Sequence, residues 1–519
     1  MKPKRVANNI DRDFLAYIYH TTGESADCAE EKLKMYLAPY LESEITEMII
    51  NVFAQTSLFP SKVMTWVGDV ADRKIEDGIQ VDYSDGWAEK PTKEFYRNME
   101  RDPVELMLTE SKRAGKSTWI SIRMNDVHGN RDRTNRMRGD LFYEVKKRGI
   151  FLDESISGEF YRYCFDYSHE YVRQMMLDYI DEVLNKYSFD ILELDFTREI
   201  FCVNYLENPN CHEIMTEFMK SVHNIVKKKD DNIRIAVRLC RDINDALVFG
   251  HDVREWIRLG IVDVLIPSPR FRSTDSDMPI GEWLEAVRGT KVEIYAGLEF
   301  FLHERLPNNI ETMKGFIAAY LDAGADMIYL YNYYRECAQV DDMTPWVGKV
   351  GDPSSFQNYS ELCENDKFLR QVWSAGADVS VAKSGTRRNV MTFKEDSMTP
   401  RGERPYRPLP HEIRGTYSLT MQTGYITDEK VTLILGVGNG DQVSSVTVDG
   451  KEALPLGRAT SSYMLSDTVK GRSSELNKYE LYAFAVECDG ERERRIEVSG
   501  EGITLGYLEF EIVAEETSI

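Results

Sequence analysis

Short apolar strands alternate with amphipathic helical stretches eight times between residue 5 and about residue 335, and nothing else narrows the fold of this chain as far. The candidate strands are Arg5–Asn9, Thr46–Phe53, Thr118–Met124, Asp190–Phe196, Arg234–Cys240, Val262–Pro267, Val292–Leu298 and Met327–Tyr333. Between them lie helical patterns such as Tyr171–Tyr187, Glu213–Lys228, Val253–Leu259 and Thr312–Ala323, the last followed by Gly324. Eight such units predict an α/β fold, a (β/α)8 TIM barrel. A doubly wound sheet is the alternative, but no GxGxxG follows a strand.

The texture changes beyond about residue 377, and all 7 tryptophans lie at or before Trp373. Tyr417–Thr420, Val431–Leu435, Val443–Val448, Tyr479–Val486 and Arg495–Val498 read as strands, with Asn439-Gly440 and Asp449-Gly450 as hairpin turns. Arg404–Pro410 is a proline-rich extended segment leading into them. The expected division is a barrel over residues 1–345, a connecting segment over 346–376 and an antiparallel β-sandwich over 377–519. A length of 519 residues is too great for one core, so two domains, or one large domain with an appendage, are expected.

The net charge is -23, which argues against binding a phosphate backbone or an anionic membrane surface. Neutral substrates such as sugars are compatible with it. No apolar run reaches the roughly 18 residues of a membrane span. Met1–Val6 is basic but no apolar region follows, so the chain shows no signal peptide. A cytoplasmic protein and a secreted or periplasmic one trimmed of its leader both fit. The 8 cysteines are scattered without a CxxC, which predicts reduced thiols rather than zinc ligands or a disulfide framework.

Side chains alternate between the two faces of a strand, so each strand can be read by parity. Ile120, Ile122 and Met124 oppose Ser121, Arg123 and Asn125. Leu192 and Leu194 oppose Glu193 and Asp195; Ile235, Val237 and Leu239 oppose Ala236, Arg238 and Cys240. Val292, Ile294, Ala296 and Leu298 oppose Glu293, Tyr295, Gly297 and Glu299; Met48, Ile50 and Val52 oppose Asn51 and Gln55. The apolar face belongs against helices, so the polar face should point into the barrel. Barrel interiors are ordinarily filled by Val, Ile and Leu. Here the interior would hold Arg123, Asn125, Glu193, Asp195, Arg238 and Glu299, mostly late in their strands, at the C-terminal mouth where barrel sites sit. Arg123 and Arg238 could pair structurally with Glu193 and Glu293.

Two carboxylates on different strands suit glycoside hydrolysis, one as general acid on the leaving oxygen, the other as nucleophile or activator of water. Asp195 and Glu299 are the candidates, with Glu199 on the loop after the fourth strand as a second acid. Arg123, Asn125, Asp126, Arg238 and Asn51 could hydrogen-bond sugar hydroxyls and hold one carboxylate ionised. His128 could contact substrate, and Tyr331 and Asn332 could line the pocket floor. The long loops at about residues 55–100 and 125–168 are where barrel enzymes build their sites; the first carries Trp66, Tyr83 and Trp87, of which Trp87 is the candidate sugar-stacking ring.

Ser121-Ile122-Arg123-Met124-Asn125-Asp126-Val127-His128, Leu192-Glu193-Leu194-Asp195-Phe196-Thr197-Arg198 and Tyr295-Ala296-Gly297-Leu298-Glu299 resemble the strand ends of glycoside-hydrolase-like barrels from bacterial carbohydrate-degrading gene sets. The resemblance covers roughly residues 5–335, with a β-domain following as in many such proteins. It implies an oligosaccharide or glycoside substrate, a catalytic aspartate at Asp195 and a strand-seven nucleophile at Glu299. The large retaining clan has Asn-Glu after its fourth strand, where this chain has Asp195-Phe196.

Two other readings compete. One is a carbohydrate-binding barrel without catalysis. The other is a metal-dependent lyase, isomerase or hydrolase, with Asp126, His128, Asp195 and Glu299 around a divalent ion. The first strand lacks a His-x-His pair, so neither a metal nor a cofactor is expected. Homo-oligomerisation is left open.

Overall fold

The computed structural model describes residues 5–331, 386–391 and 408–514, apart from segments at 43–44, 73–74, 77–78, 81–85, 128–137, 153–162, 271–273, 300, 304–305, 309, 428 and 466–475. Eight parallel strands close into a barrel: β1 (Val6–Ile10), β2 (Glu47–Ala54), β3 (Ser117–Arg123), β4 (Ile191–Asp195), β5 (Arg234–Leu239), β6 (Val264–Pro267), β7 (Glu293–Glu299) and β8 (Met327–Tyr331). Each pairs with its sequence neighbour, and β1 pairs with both β2 and β8, so no edge remains. The expected strand positions hold to within a few residues.

The parity reading also holds. Outward-facing Met48, Ile50, Ile120, Ile122, Leu192, Leu194, Ile235, Val237, Ile294 and Leu298 belong to the core between strands and helices. Burying each such side chain stabilises the fold by about 1.5–3 kcal/mol. Ala7, Ile49, Trp119, Ile191, Ala236, Val264, Tyr295, Met327 and Tyr329 form a separate cluster inside the barrel.

Helices cover the outside, among them α1 (Phe14–Thr21), α2 (Ala29–Leu41), α3 (Glu89–Asn98), α4 (Pro103–Arg113), α5 (Asp140–Arg148), α6 (Glu170–Lys186), α7 (Cys211–Lys229), α8 (Ile243–Val248), α9 (Val253–Leu259), α10 (Ile280–Ala286) and α11 (Ile310–Ala323). α4 starts cleanly because Pro103 occupies its first position and the Asp102 carboxylate accepts the Val104 N–H at 2.9 Å. α3 lies within the stretch expected to be a long loop; its charged face hid the helix from a reading based on apolar spacing.

The second unit is an antiparallel sheet with its own core: β9 (Arg387–Met391), β10 (His411–Gln422), β11 (Glu429–Gly438), β12 (Ser445–Val448), β13 (Lys451–Glu452), β14 (Leu454–Arg458), β15 (Tyr479–Val486) and β16 (Glu493–Ala514). β16 is 22 residues long. Its first half pairs with β10 and β12, its second half with β9 and β11. Only Arg495–Val498 of it was expected, because Gly500, Gly502 and Gly506 interrupt the pattern; the register skips Gly502 opposite β10 and Gly506 opposite β11 as bulges. Asp449-Gly450 makes the expected hairpin between β12 and β13, with both residues at positive φ. Asn439-Gly440 is a turn but not a hairpin: the strands on either side of it, β11 and β12, are separated by β16. Arg404–Arg407 of the proline-rich segment lie outside the described residues, as do residues 346–376.

The sheet is seated on the barrel. β9 lies so close to α11 that a Cβ on Gly315 would stand 2.1 Å from the Arg388 carbonyl oxygen. Arg388 pairs with Glu311 of α11 and with Glu509 and Glu511 of β16. The Tyr425 N–H donates to Asp322 at 2.8 Å, the Gln422 N–H to the Ser276 carbonyl at 2.9 Å, and Thr420 to Asp277 at 2.9 Å. Val390, Tyr463, Leu476 and Tyr507 join the barrel's outer core.

Candidate active site

The barrel interior is built in layers. At the N-terminal floor, Arg5 donates to Glu47 at 2.9 Å, Glu293 at 2.8 Å and the Tyr295 hydroxyl at 2.7 Å, while Arg234 pairs with the other oxygen of Glu293. Glu293 therefore pairs with Arg5 and Arg234 rather than with Arg123 or Arg238, since its place on β7 is at the opposite end of the barrel from theirs. Burial works against the charged form of Glu293, but the Arg234 hydrogen bond and the charges of Arg234 and Arg5 outweigh it and lower its pKa. For Glu47 burial wins and its pKa is raised.

An apolar layer follows, and above it a polar one. Asn51, Ser121 and Glu193 sit at matched register on β2, β3 and β4. Asn51 donates to Ser121 at 3.4 Å, and Ser121 donates to Glu193 Oε1 at 2.8 Å. From the other side Asn9 donates to the Tyr329 hydroxyl at 2.8 Å, which donates to the same Oε1 at 3.0 Å. Glu193 Oε2 and Asn51 Oδ1 have no hydrogen-bond partner. Burial, then the charge of Asp195, push the Glu193 carboxyl up to about 8.

The next layer is the mouth. Arg123, Asp195 and Arg238 stand at matched register on β3, β4 and β5. Arg238 Nη1 donates to both oxygens of Asp195, at 3.0 and 3.2 Å, and neither side chain is exposed. The other guanidinium nitrogens of Arg238 bond Ser268 and the carbonyls of Pro269 and Arg270. Its guanidinium lies 3.6 Å over the Tyr331 ring. Asp195 also accepts the N–H groups of Thr197 at 2.9 Å and Arg198 at 3.1 Å, so the strand-ending acid folds the loop that follows it. Glu193 is thus not the partner of Arg238, whose position on β5 is level with Asp195, nor of Arg123.

Around this layer Arg123 bonds Asp11 at 3.0 Å and Asp126 at 3.1 Å, and Arg198 lies 3.8 Å from Asp126. Glu199 pairs with Arg270 at 2.8 Å. Glu299 is buried at the end of β7, level with Tyr331; its backbone carbonyl accepts from Thr274 and Asn308. Asp195, Glu199, Glu299, Arg123, Asp126, Arg238 and Tyr331 thus gather at the C-terminal end of the barrel.

Three expected binding residues stand elsewhere. The Asn125 amide is engaged with backbone, donating to the carbonyls of Phe165 and Phe201 and accepting the Phe165 N–H. Asn51 lies in the polar layer below the mouth. Trp87 stacks on His20 with centroids 5.4 Å apart and meets Tyr17 edge-on, against α1, which is local packing of its loop. His128, Asn332 and Tyr83 lie outside the described residues. Among the described residues no group of three or more His, Cys, Asp or Glu side chains could hold a metal ion, and no helix is long and apolar enough to cross a membrane.

Sequence parity did not single out Asp11, Arg198, Arg270 or Tyr329. Gln55, read by parity on the polar face of the second strand, has a conformation that parity could not give: it has φ 65°, Arg12 holds the carbonyls on either side of it at 3.2 and 2.8 Å, and both its buried amide atoms lack partners. No local sequence signal marks a positive φ at glutamine.

No protein-family model matches the sequence. No curated protein matches it. Among solved structures, an α-L-fucosidase GH29 from Bacteroides thetaiotaomicron shares 10% identity over 99% of this chain and 94% of that one, with a TM-score of 0.35. α-L-Fucosidase isoenzyme 1 from Paenibacillus thiaminolyticus shares 12% over 96% of each chain, with a TM-score of 0.33. An α-amylase from Malbranchea cinnamomea shares 11% over 82% of this chain and 90% of that one, with a TM-score of 0.38. These structures are glycosidases, and at such values the likeness says nothing about individual residues of this chain. The barrel assignment rests on its own strand pairing.

Proposed function

We propose that the chain is a glycoside hydrolase working at the C-terminal mouth of the barrel, with Asp195 as the charged carboxylate facing the anomeric carbon and Glu299 as the proton-transferring acid. The observation that carries this reading is the setting of Asp195. Arg238 and two backbone N–H groups all donate to it, and donors of this kind favour the anionic form that a nucleophile or charge-stabilising group needs. Glu299 reaches the same layer from a strand separated from β4 by β5 and β6. Glu199 is already paired with Arg270, which makes it the weaker second acid. Arg123, Asp126 and Tyr331 would take sugar hydroxyls; the substrate would be an oligosaccharide or glycoside.

The test is a screen of the wild type, Asp195→Asn, Glu299→Gln and Glu199→Gln against aryl glycosides and oligosaccharides, with circular dichroism confirming each fold. Asp195→Asn should lose turnover by at least about 10³-fold on every substrate. Glu299→Gln should lose it mainly on substrates with poor leaving groups, because a good leaving group does not need the acid. Near-wild-type turnover by a folded Asp195→Asn would overturn the assignment. Oligosaccharide binding by calorimetry without turnover of any substrate would favour a carbohydrate-binding barrel.

A further inference from the structure

We propose that Glu193 is a positioning residue that works as a neutral acid: un-ionised and fastened by Ser121 and Tyr329, it closes the barrel one layer beneath Asp195 and leaves Asp195 without a competing carboxylate for Arg238. The inference deepens the glycosidase reading and rests on it for its catalytic consequence only.

Glu193 and Asp195 are successive inward positions of β4, so their Cα atoms are about 6.6 Å apart. Both are fully buried. The groups that face Glu193 can be taken strand by strand. Asn9 comes from β1, Asn51 from β2, and Ser121 from β3 with Arg123 one step above. Ala236 comes from β5 with Arg238 one step above, and Tyr329 from β8 with Tyr331 above. The two arginines are the cations in this set. Arg123 is paired with Asp11 and Asp126, and Arg238 is hydrogen-bonded to Asp195. Among the described residues two hydroxyls donate to Glu193, both on Oε1. Oε2 receives none and can carry the proton.

A second negative charge here would have to share Arg238 with Asp195 inside a region of low dielectric. That is why burial and the Asp195 charge raise the Glu193 pKa together. While Glu193 stays protonated, the arginine's hydrogen bonds to Asp195 are uncontested. Once it ionises, Arg238 is drawn toward two carboxylates, and its hydrogen bonds to Asp195 are contested. A glutamine would keep the two hydroxyl contacts and remove the ionisation.

The linkage has a definite sign. The folded chain holds a proton on Glu193 up to about pH 8, whereas the unfolded chain releases it near 4.5. Wild-type stability should therefore carry a component that is full below pH 4.5, declines through that window and levels off above it. The experiment compares unfolding midpoints of the wild type and Glu193→Gln from pH 5 to pH 9, together with infrared spectra of each at pH 6 and pH 9. The midpoint of the variant relative to wild type should climb across the window and then become constant. The wild type should show a protonated-carboxyl band that is lost at pH 9 and is absent from the variant. Parallel pH profiles with no difference band would overturn the proposal.

Tyr329→Phe guards against a Glu193→Gln that fails to fold. Removing a donor to the carboxylate should move the infrared transition to higher pH, and an unmoved transition would count against the proposal. On whatever glycoside the screen identifies, the wild-type kcat should fall above about pH 8, and this fall should be displaced in Glu193→Gln. An identical alkaline limb would sink the positioning role. If no glycoside is turned over, the glycosidase reading fails while the stability and infrared results still decide the state of Glu193.

Discussion

At the floor of the barrel, Arg5 meets Glu47 and Glu293 with 24% of its side chain still in solvent; at the mouth, Arg238 meets Asp195 with none. Both ends use the same chemistry of guanidinium against carboxylate. At the floor, Tyr295 and two arginines share the work, and Glu47, its pKa already raised by burial, can take a proton if its arginine leaves. At the mouth one arginine, itself stacked on Tyr331, bonds both oxygens of Asp195 and also holds Ser268 and the carbonyls of Pro269 and Arg270. An arginine–carboxylate pair is therefore not by itself a site; complete burial and a concentrated set of dependent contacts separate the two ends.

The largest expected effect lies at the mouth. Arg238→Met removes the ion-pair partner of buried Asp195, leaving it the Thr197 and Arg198 N–H donors, and should cost about 3–5 kcal/mol in denaturant unfolding, with loss of any glycosidase turnover. A cost under about 1 kcal/mol would erase the distinction between the ends. Tyr331→Leu, which removes the ring beneath the guanidinium, should cost about 2 kcal/mol, and a double-mutant cycle with Arg238→Met should show coupling. Arg5→Met should cost only about 1–2 kcal/mol, because Glu47 protonates and Arg234 keeps Glu293.

The smallest effect is a difference in pH. Glu293 has a lowered pKa, so its contribution is present above its ordinary value near 4.5 and is lost as pH falls through the folded value. Unfolding midpoints of Glu293→Gln should therefore be less sensitive to acid than those of the wild type. Because this carboxylate is half-buried, added salt should shrink the difference. The floor thus shapes the acid side of the stability profile, while Glu193 shapes the neutral-to-alkaline side with opposite sign.

Period-two alternation made the barrel and the inward position of Glu193, Asp195, Arg238 and Glu299 legible, because one face of each strand must meet helices. The pairings were not legible. Tyr329 reaches Glu193 across 136 residues and Asp11 reaches Arg123 across 112, and such partners are set by the register of a closed sheet. Asn125 looked like a sugar ligand because it continues the polar face of β3, yet the chain turns there and its amide is needed by two loops. Trp87 gave no directional signal at all. The long β16 was hidden by its own bulges.

The seating of β9 on α11 bears on how the chain is made. α11 leads into β8, the strand that closes the barrel against β1. β9 in turn is hydrogen-bonded to Leu508–Ile512 of β16, the last strand described. On the ribosome, β8 and α11 emerge long before β16. The seat on α11, with Gly315 pared down to admit the Arg388 carbonyl, must then wait for a strand synthesised nearly two hundred residues later. Through that interval α11, the last of the barrel's helices among the described residues, lacks the contact with the completed sheet that β9 and β16 later give it.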